Sequence, residues 1–164
     1  MAGGGIAPAG IPAGGGFIPG AIPGIVPRKL RTDVAQRCIS IVMLTFTGEG
    51  WDGIHRDTVV KALQAEGVPA SIGYGWANYR NPAFLHMQET MGRRAFVYGV
   101  DRFPDWLKYA ERCPATERAC RERAVFIPHS TMLGDEADVQ LIADAFAKVY
   151  EHRVELAAVR VAQT

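Results

Sequence analysis

From residue 39 onward, the order of apolar and polar positions divides the chain into elements of recognisable period. Ile39 to Thr47 is a run of β-branched and apolar residues, and it predicts a central strand. Gly48 to Gly53 supplies turn formers. His55 to Glu66 then carries Val59, Val60 and Leu63 at helical spacing, and Gly67 is suited to a left-handed C-terminal stop. Val68 to Ile72 predicts a second, short strand, which Pro69 confines to a sheet edge or to a strand start. Gly73 to Phe84 mixes turn formers with aromatics and reads as an ordered loop.

From Leu85 to Tyr109 the pattern yields only a short helix near Gln88, a β-like Ala95 to Tyr98 and a turn at Phe103-Pro104. Pro114, following Cys113, suits the first turn of a helix running to about Arg123. Ala124 to Pro128 reads as a strand. Asp135 is a good N-cap for the strongest helical pattern in the chain. Glu136 and Asp138 lie in its first turn, Lys148, His152 and Arg153 near its end, and Val139, Ile142, Ala143, Phe146 and Val149 form its expected buried stripe. Glu155 to Thr164 either extends that helix or frays.

The first 27 residues have a different texture. They hold nine of the 18 glycines and five of the ten prolines, and no charged side chain. Glycine carries a high backbone entropy cost and proline lacks a donor, so this stretch predicts extended, turn-rich chain rather than helix. It has neither a basic leader region nor an unbroken apolar core, which argues against a signal peptide. Proline every few residues argues against a membrane-spanning helix. The expected organisation is therefore a Gly/Pro-rich flexible or extended segment over 1–27, a folded domain over 28–152, and a helix extension or frayed tail over 153–164.

Composition narrows the partners. The 164 residues are 48% apolar, enough for one ordinary domain to bury a core without disulfides or metal. With 18 basic and 17 acidic residues there is no concentrated positive charge of the kind that meets phosphates, so nucleic acid is not an expected partner. The three cysteines, Cys38, Cys113 and Cys120, are odd in number and form no CxxC pair, which points to a reducing, cytoplasmic setting. The six residues between Cys113 and Cys120 also exceed the spacing zinc sites favour, so no metal is expected from these two and His129.

Three segments, taken in order, resemble the C-terminal portion of the DegT-like sugar aminotransferases, a family of fold-type I pyridoxal-phosphate enzymes. The first is Arg56-Asp57 followed by Leu63 to Ala70. The second is Gly73 to Gly75 with Tyr79 and Asn81 to Phe84. The third runs Cys113-Pro114, Glu117-Arg118-Ala119, Ala124 to Pro128, Leu133 to Glu136, then Ile142 and Lys148. The resemblance covers roughly Ile22 to Tyr150. It implies an α/β (α+β) fold, the small C-terminal domain of such an enzyme, with a short, mostly antiparallel sheet and helices packed on one face. It also implies transfer of an amino group from glutamate or glutamine to a keto-sugar or keto-cyclitol, pyridoxal phosphate as cofactor of the full-length enzyme, and a homodimer or docking to a cofactor domain.

In that family a lysine forms the Schiff base, and it belongs to a larger domain preceding the region matched. The only lysines of this chain are Lys29, Lys61, Lys108 and Lys148. None sits where a desolvated, low-pKa amine is expected, so catalysis by this chain alone, and cofactor binding by it, are not expected. The resemblance instead directs attention to the aromatic loop, which it places near the active-site mouth. Tyr74, Trp76, Tyr79 and Asn81, with Asn78 and Arg80, offer the stacking faces and donors that sugar sites use; the competing reading is that the aromatics pack over the sheet or fill an interface. His129, just beyond a strand end, is either a substrate contact or a loop hydrogen bond. The family often has a more aromatic or histidine-containing stretch where this chain has Arg37 to Ser40, which puts contacts there in doubt. A non-catalytic α/β module that docks onto a separate cofactor-bearing partner is the alternative.

Overall fold

Proline and glycine at the end of the first segment set the first element. In the computed structural model, which describes residues 22–28, 33, 40–83, 85–86 and 108–158, Pro23 and Gly24 form a turn. Gly24 adopts φ +75, a conformation side-chain-bearing residues disfavour. The chain then enters strand β1, Ile25–Pro27. β1 pairs antiparallel with β2, Ile41–Phe46, and β2 pairs antiparallel with β3, Ala124–Pro128, in the order β1-β2-β3.

The register places Ile25 opposite Phe46, Val42 opposite Ile127 and Leu44 opposite Val125. Because strand side chains alternate, these residues share one face. That face joins one buried cluster with Val59, Val60 and Leu63 of helix α1, Arg56–Ala65, and with Ile142, Phe146 and Val149 of the long helix Glu136–Glu151. The architecture is a mixed α/β one: a small antiparallel sheet whose buried face and two helices share a core. The strand expected over Ile39 to Thr47 is observed over Ile41–Phe46, and that expected over Ala124 to Pro128 is observed there.

Helix α1 ends as Gly67 suggests. Gly67 has φ +87, its N–H donates to the Gln64 carbonyl at 3.0 Å, and the Val68 N–H donates to the Leu63 carbonyl at 2.9 Å, the paired bonds of a Schellman termination. The expected strand Val68 to Ile72 reduces to an isolated bridge, in which Ser71 and Phe126 exchange backbone hydrogen bonds. The surrounding backbone explains the difference. Pro69 has no N–H, the Ala70 N–H donates to the Val68 carbonyl, and the Ala70 carbonyl accepts from the Gln64 side chain, so little is left to extend a ladder.

The chain forms two compact units, residues 1–72 with 122–164, and residues 73–121. In the second unit helices α2, Lys108–Arg112, and α3, Pro114–Arg118, are short, and the helix expected to reach Arg123 as one piece instead widens into a π turn over Ala119–Arg123. The features expected near Gln88, at Ala95 to Tyr98 and at Phe103-Pro104 lie outside the described residues.

Helix α4, Glu136–Glu151, is followed by α5, Arg153–Ala157. The buried stripe of α4 is Ile142, Ala145, Phe146 and Val149. Ala145 takes the place foreseen for Ala143, and Val139 and Ala143 are half-buried, because the i, i+3, i+4, i+7 positions counted from Ile142 are the ones that face the core.

Candidate functional site

The loop that opens the second unit is a turn-rich segment. Gly73 and Gly75 adopt φ +69 and +72, left-handed conformations that glycine tolerates and that turn the chain here. Between and after them Tyr74 and Trp76 are left outside, 77% and 50% exposed. Ala77 is buried, and Asn78–Arg80 forms a single 3-10 turn closed by the Arg80 N–H on the Ala77 carbonyl at 2.8 Å.

Tyr79 and Arg80, unlike Tyr74 and Trp76, turn toward protein. The Tyr79 hydroxyl donates to Glu117 Oε1 at 2.8 Å, and Arg80 Nε donates to the same oxygen at 2.7 Å. Arg121 Nε lies 3.4 Å from the other oxygen of that carboxylate. The Tyr79 ring also stacks on Tyr109, centroids 6.0 Å apart. The electrostatic consequences follow from this arrangement. The hydrogen bond from Arg80, and then that from Tyr79, hold the Glu117 carboxyl below its ordinary range despite partial desolvation. Desolvation first, and the bond to Glu117 second, push the Tyr79 phenol up to about 12. The bond to Glu117 raises Arg80 further.

Asn81 spends its side-chain oxygen locally, accepting from the Ala83 N–H at 2.9 Å in an Asx turn. His129 belongs to the first unit. Its ring Nδ1 lies 3.0 Å from the Ser40 carbonyl oxygen, which also accepts the His129 backbone N–H at 3.2 Å. Because a carbonyl can only accept, Nδ1 carries the proton in this contact. Four of the five candidates, Tyr74, Trp76, Tyr79 and Asn81, therefore fall in one loop of one unit, and His129 is held at a strand end of the other.

Sequence reasoning did not single out Glu117 as part of the site. It lies 38 residues from Tyr79 in a helix of ordinary polar composition, and no spacing rule links the two. The lysines that are described fit a Schiff-base role poorly. Lys61 and Lys108 are exposed, and Lys148 is paired with Glu66 at 2.6 Å. Cys113 caps the start of α3 and is half-buried, as is Cys120. Among the described residues no three His, Cys, Asp or Glu side chains converge as metal donors, and no helix is long and apolar enough to cross a membrane.

No family model matches the sequence. Individual proteins do. The chain is 32% identical over 117 residues to a Streptoalloteichus tenebrarius protein provisionally named L-glutamine:3-amino-2,3-dideoxy-scyllo-inosose aminotransferase, a match covering 71% of this chain and 27% of the relative. It is 30% identical over 139 residues to the L-glutamine:2-deoxy-scyllo-inosose aminotransferase of the same organism, covering 82% of this chain and 31% of that one. Over most of its length the chain is thus similar to proteins named as L-glutamine:scyllo-inosose aminotransferases, relatives of the DegT-like type that its motifs resemble.

The crystal structure of 3-amino-5-hydroxybenzoic acid synthase superposes on this chain with a TM-score of 0.56 at 22% identity, over 81% of this chain and 30% of that one, which establishes a shared fold. The chain spans 27% to 33% of the length of the first curated relatives it matches. The mixed α/β architecture inferred from the sequence is the one observed.

Proposed function

We propose that these residues serve in a pyridoxal-phosphate-dependent aminotransferase that moves the amino group of glutamine or glutamate onto a keto-cyclitol or keto-sugar. The observation that carries this reading is the similarity to two L-glutamine:scyllo-inosose aminotransferases over 71% and 82% of the chain. On this reading the aromatic loop 73–81 forms part of the substrate side of the site. Exposed Tyr74 and Trp76 offer π faces to the C–H edges of a ring, the manner in which polyhydroxylated rings are held while their hydroxyls bond elsewhere.

The cofactor, in this proposal, is held by parts of the enzyme other than the described residues. A Schiff-base amine must be poised as a free base, and burial or a neighbouring cation achieves that. Lys61 and Lys108 are exposed, and Lys148 is paired with the Glu66 carboxylate at 2.6 Å. In this proposal none of the described lysines is the Schiff-base amine, and the chain acts within a homodimer or against a cofactor-bearing domain.

Two measurements test this. Incubation of the purified chain with pyridoxal phosphate, followed by borohydride reduction and intact mass, is expected to give no stoichiometric adduct; one equivalent fixed on a single lysine contradicts the assignment of the cofactor elsewhere. Saturation-transfer NMR with scyllo-inosose is expected to show transfer to the ring protons that Tyr74→Ala and Trp76→Ala each weaken. Transfer unchanged in both variants, or none to the wild-type chain, removes the loop from the substrate site.

A further inference from the structure

The loop that presents Tyr74 and Trp76 has few means of holding itself in place. Two of its residues are glycines at positive φ, its one regular feature is a single 3-10 turn, and Ala77 is its one buried residue among those described. A loop of that kind would lose much of its binding free energy to ordering on contact with a ligand. Two of its side chains converge on one carboxylate of helix α3. Glu117 is only 16% exposed, and one of its oxygens receives the hydroxyl of Tyr79 and the Nε–H of Arg80.

Tyr79 and Arg80 are consecutive in the 3-10 turn, so two donors leaving the backbone in different directions close on one acceptor. That arrangement fixes the rotation of the turn as well as its position. A single exposed ion pair does neither and contributes little. The second carboxylate oxygen is steadied by Arg121 at 3.4 Å, one helical turn along. The Tyr79 ring is clamped independently by stacking on Tyr109.

We propose that Glu117 is the positioning residue of the aromatic loop, holding Tyr79 and Arg80 so that Tyr74 and Trp76 meet a ring-shaped polyol already ordered. The inference rests on the reading of loop 73–81 as part of the substrate site. Glu117 touches no ligand itself; it acts through the two residues it anchors. Tightness of ligand binding then depends on a carboxylate that contact-based reasoning would pass over.

The test uses the full 164-residue chain labelled with 5-fluorotryptophan. The Trp76 resonance is assigned by Trp76→Phe, and the resonance of Trp51, buried in the first unit, reports on the global fold. Glu117→Gln keeps the shape of the side chain and removes its charge. The expected result is a Trp76 resonance that moves toward that of the free amino acid and narrows, with Trp51 unchanged, and an affinity for scyllo-inosose, followed on Trp76, weakened about tenfold. Glu117→Asp, which restores the charge one methylene short, is expected to recover part of both effects.

A Trp76 resonance and an affinity that are both unaltered in Glu117→Gln overturn the proposal. If scyllo-inosose leaves the wild-type resonance untouched while Glu117→Gln still releases Trp76, the substrate assignment of the loop fails and the positioning role stands. Should Glu117→Gln disturb Trp51 as well, Tyr79→Phe and Arg80→Gln each remove one arm and leave the carboxylate. A shift of Trp76 in either supports the role, and none in both refutes it.

Discussion

The indole Nε1–H of Trp51 donates to the carbonyl oxygen of Pro23 at 2.7 Å, across 28 positions of the chain. Trp51 is fully buried, with the rings of Phe46 and Tyr150 edge-on at 5.6 and 5.2 Å. The turn that launches β1 is thereby tied to the sheet and to α4 at one point. Trp51→Phe leaves the Pro23 carbonyl without this donor and opens a cavity beside Tyr150, so it should cost about 2–4 kcal/mol in urea unfolding. Gly24→Ala acts on the same joint from the other side. Its methyl would strike the Glu49 carbonyl oxygen and approach Trp51 Cδ1 to 2.8 Å at φ +75, so a loss of about 2 kcal/mol or more is expected. Either variant unfolding at the wild-type midpoint would show that the joint contributes little.

Arg56 is a second buried polar anchor. It is 2% exposed, its Nε pairs with Asp57 at 2.7 Å, and its Nη1 donates to the Ala124 carbonyl at 2.9 Å, where β3 begins. The charge is therefore used to fasten the start of a strand to the start of α1. Arg56→Met fills the volume but leaves the Ala124 carbonyl without this donor, and a destabilisation of about 2–4 kcal/mol follows. Arg56→Lys should recover only part, because an ammonium cannot reproduce the planar fork that serves Asp57 and Ala124 together. Full recovery by Lys would show that charge alone matters here.

Asp135 is a separable test of local structure. Its side chain accepts from the Asp138 N–H at 3.0 Å, and the Asp138 side chain returns a bond to the Asp135 N–H at 3.2 Å, so the two satisfy donors that the first turn of α4 would otherwise leave open. Asp135→Ala should cost about 1 kcal/mol, which in a chain of this length lowers the thermal midpoint by about 2–4 °C. Asp135→Ser, able to accept the same bond, should lie close to wild type. Equal losses in both would indicate that the macrodipole interaction, rather than the hydrogen bond, carries the effect.

Local chemistry makes much of the fold readable in the sequence. Ile41–Phe46 and Ala124–Pro128 are runs with strong β preference, Gly67 is a stop with a single plausible geometry, and Asp135 followed by acidic residues marks a helix start. Long-range demands decided the remainder. Val68 to Ile72 has strand composition, but Pro69 and the capture of the Ala70 carbonyl by Gln64 leave only the bridge at Ser71. The candidate site divides in the same way. Aromatic content marked Tyr74, Trp76 and Tyr79, whereas Glu117 became visible only when the fold set it against two residues 37 and 38 positions away.

The Glu117 cluster also fixes a pH dependence for the second unit. Arg80, Tyr79 and Arg121 face this carboxylate, and its pKa is held below the ordinary value of 4.5. A carboxyl depressed in the folded state stabilises most fully above its unfolded pKa, and that contribution disappears as pH falls through the folded value. The Tyr79 phenol runs the other way. Its pKa rises from 10.0 to about 12, so its contribution is complete below 10 and is lost as pH rises toward 12; Cys113 also faces this phenol. Limited proteolysis within loop 73–81 should therefore be slow between these limits and quicken below the carboxylate range and again above pH 10. Glu117→Gln should show the faster cleavage at neutral pH and no acid limb, and tyrosinate absorbance should lose its latest-titrating component in Tyr79→Phe. A Glu117→Gln profile superimposable on wild type would mean that the carboxylate does not hold the loop.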